Sequence, residues 1–278
     1  MWPLDEPDRG YCTLNDVTGL GATEGELTAD PHPWGGTTIR HFFKSERIIN
    51  WPLAVYAHTH RDYNNLWQSL VRVLAMTRTR GPGLLQIAQP EGTVREIEVV
   101  CTAGLKVAPG HGRNSNIAVL ALYCADPHWR DPEPTVVERE FAVGGSPYLA
   151  PYPSISSSRV LGDTTIDNPG EVEAWPEWEI DGPASSIVAT NLTTGLSFTL
   201  NPDWNGDGPL AAGETVTITT FPPRLRGPAG QVWTGALDWT GARLWPLAPG
   251  TNSVRFEVAG ANVGTRISLS FRARYETE

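Results

Sequence analysis

Glycine and proline are the residues that most constrain the fold of this chain. The 278 residues include 28 glycines and 24 prolines, spread along the whole sequence and not gathered in one tract. Because both residues interrupt helices and favour tight turns, this distribution predicts many short strands and few long helices. Apolar residues make up 40% of the chain and charged residues 19%, which is typical of a folded protein with a sizeable core. The sequence therefore predicts a mainly β fold of one large or two ordinary domains.

One segment has the pattern of a helix. From Thr59 to Arg80, apolar residues recur every three or four positions, and Thr59 with Asp62 has the sequence of a capping box. The run Gly81-Pro82-Gly83 ends the segment. We predict one helix over about residues 60–80, packed on a sheet through an apolar stripe. The residues of this stripe are Tyr63, Leu66, Trp67, Leu70, Val71 and Leu74.

The rest of the chain has the pattern of strands and turns. In the first half, strand-like runs lie at 48–57, 84–102 and 116–129, and in the second half short runs with partial alternation continue to residue 276. The turn signals of the second half have the spacing of a β-sandwich.

A segment rich in proline, glycine and serine separates the two halves. It spans residues 131–158, contains one β run from Thr135 to Val143, and predicts a domain junction. We therefore predict three parts: an acidic N-terminal segment at 1–30, a β domain with the helix at 31–134, and a β-sandwich domain at 135–278.

Charge and cysteine content exclude several classes of function. The formal net charge is −10 and no Lys/Arg cluster is present, so we expect no specific nucleic-acid binding. The three cysteines include no CxxC pair, which indicates neither a disulfide framework nor a cysteine zinc site. The N-terminus lacks the pattern of a signal peptide, and the longest apolar run, 117–125, is too short to span a membrane. We expect a soluble protein made in a reducing compartment, without a membrane segment.

The loop at 203–214 matches the calcium-loop pattern D-x-[DN]-x-[DN]-G-x5-E. Its candidate ligands are Asp203, Asn205, Asp207 and Glu214. The two helices of an EF-hand are missing, because strand-like runs precede and follow the loop. We interpret the loop as a solvated β-connection and expect no metal or cofactor, with a calcium site kept as the alternative.

Other candidate sites are weaker. His58 and His60 form an H-x-H pair, but no third metal ligand lies at a recognisable spacing, and the pair flanks the predicted start of the helix. No nucleophile motif is present, so we expect no enzymatic activity. Five tryptophans of the second half fit either a core or a sugar-stacking platform, and we favour the core and interfaces. These tryptophans are Trp175, Trp178, Trp233, Trp239 and Trp245.

Several of these stretches, in order, resemble the distal tail proteins of long-tailed phages. The first half is similar in plan, with a strand, the helix, the step at 82–87 and the strand that follows it. A "D-P-x-W" step lies at Asp126, Pro127 and Trp129. In the second half, an "N-x-G-x-x-x-A-x-P-x-x-x-I-x-G" stretch, a "G-E" strand entry and an "L-x-P-G-x-N" turn follow in the usual order. Their positions are Asn168, Gly170, Ala174, Pro176, Ile180, Gly182, Gly213, Glu214, Leu247, Pro249, Gly250 and Asn252.

The resemblance implies a fold and a role for the chain. It implies an N-terminal β-barrel-like or sandwich-like domain with one helix, and a C-terminal galectin-like β-sandwich. Such proteins form a ring, commonly of six copies, at the tail tip of the virion, between the tail tube protein and the tip hub protein. The ring leaves a channel for DNA, and the tape measure protein is a further expected partner. The implied site of synthesis is the host cytoplasm.

Two other classes of function remain open from the residues. A lectin-like sandwich would bind a host-surface glycan through its tryptophans, and fold alone does not exclude this role. A hydrolase of the tail tip would need two carboxylates or a nucleophile in a cleft, and the sequence contains no pattern that indicates one.

Overall fold

The computed structural model describes residues 2–106, 113–141 and 160–278, so part of the predicted junction, including the end of the run to Val143, lies outside the described residues. The chain divides into two compact units, here called unit 1 (residues 1–132 and 275–278) and unit 2 (residues 133–274). Strands account for 49% of the chain, and α1 is the one α-helix among the described residues, so the predicted mainly β fold is confirmed.

Most strands of unit 1 belong to one sheet. The sheet has the order β1-β4-β7-β6-β8-β18, with β5 also paired with β6, while β2 and β3 form a separate two-stranded hairpin. The elements are β1 (Tyr11–Thr13), β2 (Gly25–Pro31), β3 (Thr37–Lys44), β4 (Arg47–Tyr56), α1 (His60–Thr79), β5 (Gly83–Ala88), β6 (Val94–Ala103), β7 (Ser115–Cys124), β8 (Trp129–Arg130) and β18 (Arg274–Tyr275), through which the chain returns to unit 1.

The helix of unit 1 forms where the sequence predicts it. Thr59 is the N-cap, and its hydroxyl accepts a hydrogen bond from the main-chain N–H of Asp62 at 3.1 Å. Tyr63, Trp67 and Leu70 are buried, together with Leu74, and they pack in one core with strands β4, β6 and β7. Each such buried side chain contributes about 1.5–3 kcal/mol relative to an exposed one, so this stripe holds the helix on the sheet.

Unit 2 is a sandwich of two antiparallel sheets. One has the order β10-β16-β12-β13 and the other β15-β14-β11-β17-β9. The strands are β9 (Thr135–Glu140), β10 (Val160–Asn168), β11 (Glu177–Asp181), β12 (Ser186–Asn191), β13 (Leu196–Leu200), β14 (Thr215–Thr220), β15 (Pro223–Arg226), β16 (Gly250–Ala259) and β17 (Arg266–Phe271).

Aromatic side chains fill the centre of the sandwich. The Trp178 ring on β11 meets Trp245, Phe198 and Phe256 in edge-to-face contacts, with ring centroids 5.0, 5.3 and 5.7 Å away. Edge-to-face packing places the positive edge of one ring against the negative face of the next. The two sheets are therefore joined through one aromatic cluster. Among the described residues, no helix combines the length and the apolar character needed to cross a membrane.

Candidate assembly surfaces

The β2–β3 hairpin carries large apolar side chains on an exposed surface. Among the described strands, β2 and β3 pair only with each other. Ile39 is 63% exposed, and Leu27 and Phe42 are each 52% exposed. At the turn, Trp34 is 83% exposed and stacks on His32, with the ring centroids 5.4 Å apart. Exposed apolar residues grouped in this way mark interaction surfaces in soluble proteins.

A β-bulge puts these side chains on one face of the hairpin. Leu27 lies opposite Phe42, Ala29 lies opposite Ile39, and the pairing shifts between Thr28 and Ala29. Without the bulge, two residues three positions apart would point to opposite faces, because side chains alternate along a strand. The bulge therefore gathers Leu27, Ala29, Ile39 and Phe42 into one apolar face, here called the hairpin face.

Glu276 anchors the base of the hairpin. Its carboxylate accepts hydrogen bonds from the main-chain N–H and the hydroxyl of Thr23, just before β2, and forms an ion pair with Lys44 at the end of β3. Burial acts to raise the pKa of Glu276, but the hydrogen bonds from Lys44 and Thr23 and the Lys44 charge outweigh it and lower the pKa to about 2. The carboxylate is therefore ionised at neutral pH and holds both strands.

The buried Arg47 side chain also binds the segment that contains Glu276. Its buried guanidinium donates hydrogen bonds to four carbonyl oxygens, those of Pro127 at 2.6 Å, Gly19 at 2.6 Å, Gly21 at 2.5 Å and Glu276 at 2.7 Å. These carbonyls come from three segments far apart in the sequence. A planar guanidinium with several fixed donors suits such a junction, whereas an ammonium could not reach all four acceptors.

A second exposed apolar surface lies on strands β4 and β7. Ile48 on β4 and Ile117 and Val119 on β7 are exposed. Pro52 lies opposite Val119 and Ile48 opposite Tyr123, which places these residues on one face of the sheet. The neighbouring residues of both strands, such as Leu53 and Leu120, point into the core. We call this second surface the outer face of β4 and β7.

The "D-P-x-W" step of the sequence organises unit 1 internally. The Asp126 carboxylate accepts a hydrogen bond from the main-chain N–H of His128 at 3.2 Å, and the Pro127 carbonyl accepts from Arg47. Trp129 is fully buried in the core. Of the three residues, Pro127 binds Arg47, Asp126 holds the main chain at His128, and Trp129 fills the core.

Two asparagines of the motif positions hold turns of unit 2. Asn168 and Asn252 are fully buried: Asn168 donates to the carbonyls of Val172 and Leu247, while Asn252 accepts from the N–H of Ala248 and donates to its carbonyl. Buried amides that form hydrogen bonds with main-chain groups in this way hold turns whose N–H and carbonyl groups have no partner in the strand ladders.

Asn191 completes this group of buried asparagines, although no motif of the sequence marked it. It is fully buried, and its amide group donates to the Asn252 side chain at 3.4 Å. Its own oxygen accepts from the N–H groups of Thr193 and Thr194. The three asparagines therefore link strands β10, β12 and β16.

The remaining motif positions are turn and strand-entry residues. At Gly182, an added Cβ would lie 2.2 Å from the Ala211 carbonyl oxygen, so no side chain fits there. Gly213 and Gly250 have positive φ angles of 83° and 81°, which favour glycine. Most of the other motif positions contact the main chain at strand ends or lie in the core, and Pro249 is exposed. These are Gly170 beside Arg274, Ala174 paired with Leu247, Pro176 accepting from Thr220, the buried Ile180, Glu214 bonded to Ala211, and the exposed Pro249.

The calcium-like loop is held by its own hydrogen bonds. The Asp203 carboxylate accepts from the N–H of Gly208 at 2.8 Å, and the Asn205 amide donates to Asp207. Glu214 accepts from the N–H of Ala211 at 2.8 Å, so this carboxylate is engaged in the next turn. No group of three or more His, Cys, Asp or Glu residues that could hold a metal ion occurs in the described residues.

The other sequence candidates have internal contacts too. His60 contacts the Arg113 carbonyl through Nδ1 at 2.6 Å and Asn64 through Nε2 at 3.1 Å. Burial raises the pKa of Cys124 to about 11 and also raises that of Cys101, which makes both thiols poor nucleophiles at neutral pH. Cys12, Cys101 and Cys124 are all free.

The tryptophans of unit 2 divide into core and surface residues. Trp178, Trp233 and Trp245 are buried in the core, whereas Trp239 is exposed. Trp204, which is not one of the five tryptophans considered from the sequence, is exposed as well. A tryptophan inside the polar run NPDWNGDG is a signal that could have drawn attention to it.

Known structures share this fold. The Dit protein of phage SPP1 (gp 19.1), described as a paradigm of the hub adsorption apparatus in phages that infect Gram-positive bacteria, superposes with a TM-score of 0.63 at 14% identity, over 94% of this chain and 93% of that chain. A chain of the phage P2 baseplate in its activated conformation with calcium gives 0.56 at 11% identity, over 100% of this chain and 94% of that chain. The strontium form gives the same values.

These similarities define the fold of the chain as that of the phage Dit proteins, which confirms the resemblance seen in the sequence. No protein-family model and no curated protein sequence matches the chain.

Proposed function

We propose that this protein is a structural component of a phage tail tip that assembles into a ring. The observation that carries the proposal is the hairpin face, which exposes Leu27, Ile39 and Phe42 on a hairpin that pairs with no other described strand. A single chain gains nothing from placing such residues in water, whereas a second copy that covers them gains about 25 cal/mol per Å² of apolar surface.

The outer face of β4 and β7 is the partner surface in this proposal. Its exposed Ile48, Ile117 and Val119 belong to the same unit as the hairpin but to a different surface. When two different surfaces of one chain bind each other between copies, the contact is head-to-tail, and repeated head-to-tail contacts close into a ring if the rotation permits. We propose six copies, as in the family that the sequence resembles.

The proposed ring joins the tail tube protein to the tail-tip hub protein and leaves a channel for DNA, with the tape measure protein as a further partner. In this proposal unit 1 builds the ring, and unit 2 is a galectin-like sandwich. The net charge of −10 does not favour adhesion of DNA, but most of the acidic excess lies in residues 131–278, so the charge alone does not support the channel. The location is the virion tail tip, after synthesis in the host cytoplasm, and the proposed role involves no catalysis.

Negative-stain electron microscopy with light scattering tests the proposal. The purified protein should form rings of about six subunits with a central hole, as closed cyclic symmetry requires. The double variant Ile39→Thr/Phe42→Thr keeps β-forming residues but removes two of the three large apolar side chains of the hairpin face, so it should remain monomeric. Val263→Thr is the control, because Val263 is an equally exposed apolar residue of unit 2. If the double variant still formed rings, the hairpin face would not be part of the interface.

A further inference from the structure

Trp204 and Trp239 of unit 2 expose large aromatic surfaces. Trp204 is 42% exposed and Trp239 is 62% exposed, although both belong to a unit whose other large aromatics are mostly in the core. Neither is needed for the core cluster around Trp178. The core of unit 2 therefore does not account for the position of either indole.

Both indoles are attached to the same short turn. A 3-10 turn spans Thr234–Ala236, and the Trp239 Nε1–H donates to the Thr234 carbonyl at 2.8 Å. The six-membered ring of Trp204 lies against Gly235, where an added Cβ would come within 2.4 Å of it. The two aromatic rings therefore flank one turn.

The main chain around the two indoles is fixed. The N–H of Asn201 donates to the Ala236 carbonyl at 2.7 Å, and the N–H of Asp238 donates to the Thr199 carbonyl at 3.1 Å. These bonds tie both tryptophan-bearing segments to the end of β13. Ring positions that are set before binding lose little conformational entropy when a ligand stacks on them.

The surroundings of the two indoles are polar and acidic. Asp203 and Asn205 flank Trp204, Asp238 precedes Trp239 and Thr240 follows it, and all four are exposed. A large apolar partner would have to desolvate these groups, which is costly. A ligand with a flat C–H face and hydroxyl groups at its edge suits both features, because the C–H face stacks on an indole and the hydroxyls bond to the carboxylates and amides.

We propose that Trp204 and Trp239 form a binding platform for an uncharged saccharide. The acidic residues favour an uncharged sugar, because the carboxylate of a uronic or sialic acid would be repelled. The site goes beyond the ring role, since none of its residues belongs to unit 1, where the proposed ring contacts lie.

Titration of the full-length protein with chitotetraose, cellotetraose and maltotetraose, followed by saturation-transfer NMR and calorimetry, tests the platform. At least one of these sugars should bind with millimolar affinity. Trp204→Ala and Trp239→Ala should each weaken that binding by about tenfold, since each removes one stacking surface worth about 1.4 kcal/mol. Trp204→Phe and Trp239→Phe, which keep an aromatic face, should retain more of the affinity than the alanine variants.

Trp34→Ala is the matched control, because Trp34 is an exposed tryptophan of unit 1 and should leave sugar binding unchanged. Absence of binding by all three sugars, or unchanged binding in both alanine variants, would overturn the proposal. It would also be overturned if the two indoles became buried when the protein self-associates, because the platform would then be a contact between copies. That result leaves the ring proposal intact, so failures of the two proposals are distinguishable.

Discussion

The β2–β3 hairpin of unit 1 and the sandwich of unit 2 use similar side chains in opposite environments. In the sandwich, Phe198 and Phe256 lie in the core and contact Trp178. In the hairpin, Ile39 and Phe42 face outwards. The sandwich residues stabilise the chain that carries them, whereas the hairpin residues leave more than half of their surface in water. This difference separates a region that folding requires from one that the proposed assembly would use.

The largest effect should follow a change in the centre of the sandwich. Trp178→Ala removes the ring that contacts three other aromatic side chains, so it should lower the free energy of unfolding of unit 2 by about 3–5 kcal/mol. Urea denaturation followed by circular dichroism measures this change. The control is Trp239→Ala, an exposed tryptophan of the same unit, which should change the free energy by less than about 0.5 kcal/mol. Equal effects of the two variants would contradict the division between core and surface tryptophans.

The buried asparagines should give the next largest effect. Asn252→Ala leaves the N–H and the carbonyl of Ala248 without their side-chain partner, which should cost about 1–3 kcal/mol in the free energy of unfolding. Asn205→Ala, in the exposed 203–208 loop, is the matched control and should have little effect. A comparable cost at both positions would show that the cluster of Asn168, Asn191 and Asn252 does not organise the turn.

The helix, the sandwich strands and the hairpin show what a sequence pattern can predict. The helix was predictable because Thr59 and Asp62 form a local capping signal and the apolar stripe repeats at helical spacing. Strands such as β14 were predictable from turn residues and alternation. The hairpin was not predicted, because Ile39 and Phe42 lie three positions apart and only the bulge brings them to one face.

Long-range polar contacts could not be predicted from the sequence either. Arg47 and Glu276 are 229 residues apart in the sequence, and nothing local marks either as the partner of the other. Asn168 and Asn252 were identified through a resemblance to known motifs. Asn191 was not identified, because its hydrogen bond to Asn252 depends on the tertiary fold. Local signals thus predicted elements, while contacts that depend on the tertiary fold needed the structure.

The anchor of the hairpin should respond to pH. The pKa of Glu276 is lowered to about 2, so its contribution to stability is present above the ordinary value of 4.5 and is lost as the pH falls from about 4.5 to about 2. Glu276→Gln should cost about 1–2 kcal/mol at pH 7, and the difference from the unmodified protein should shrink over that range of pH. Chemical denaturation at pH 7, 4 and 3 measures both effects. Glu26→Gln, an exposed residue of β2, is the control, and a pH-independent difference for Glu276→Gln would exclude the ion pair as its cause.

The smallest effect on folding should come from the hairpin face itself. At a concentration where the protein is monomeric, Ile39→Thr/Phe42→Thr should change the free energy of unfolding by less than about 0.5 kcal/mol, because both side chains are more than half exposed. Phe198→Thr, which removes a buried aromatic ring from β13, should cost several times as much. Denaturation of the three proteins, with mass checked by light scattering, makes the comparison. A loss of about 2 kcal/mol or more in the double variant would mean that the hairpin residues stabilise the single chain. In that case the apolar surface would belong to the fold, and its proposed part in assembly would lose its physical basis.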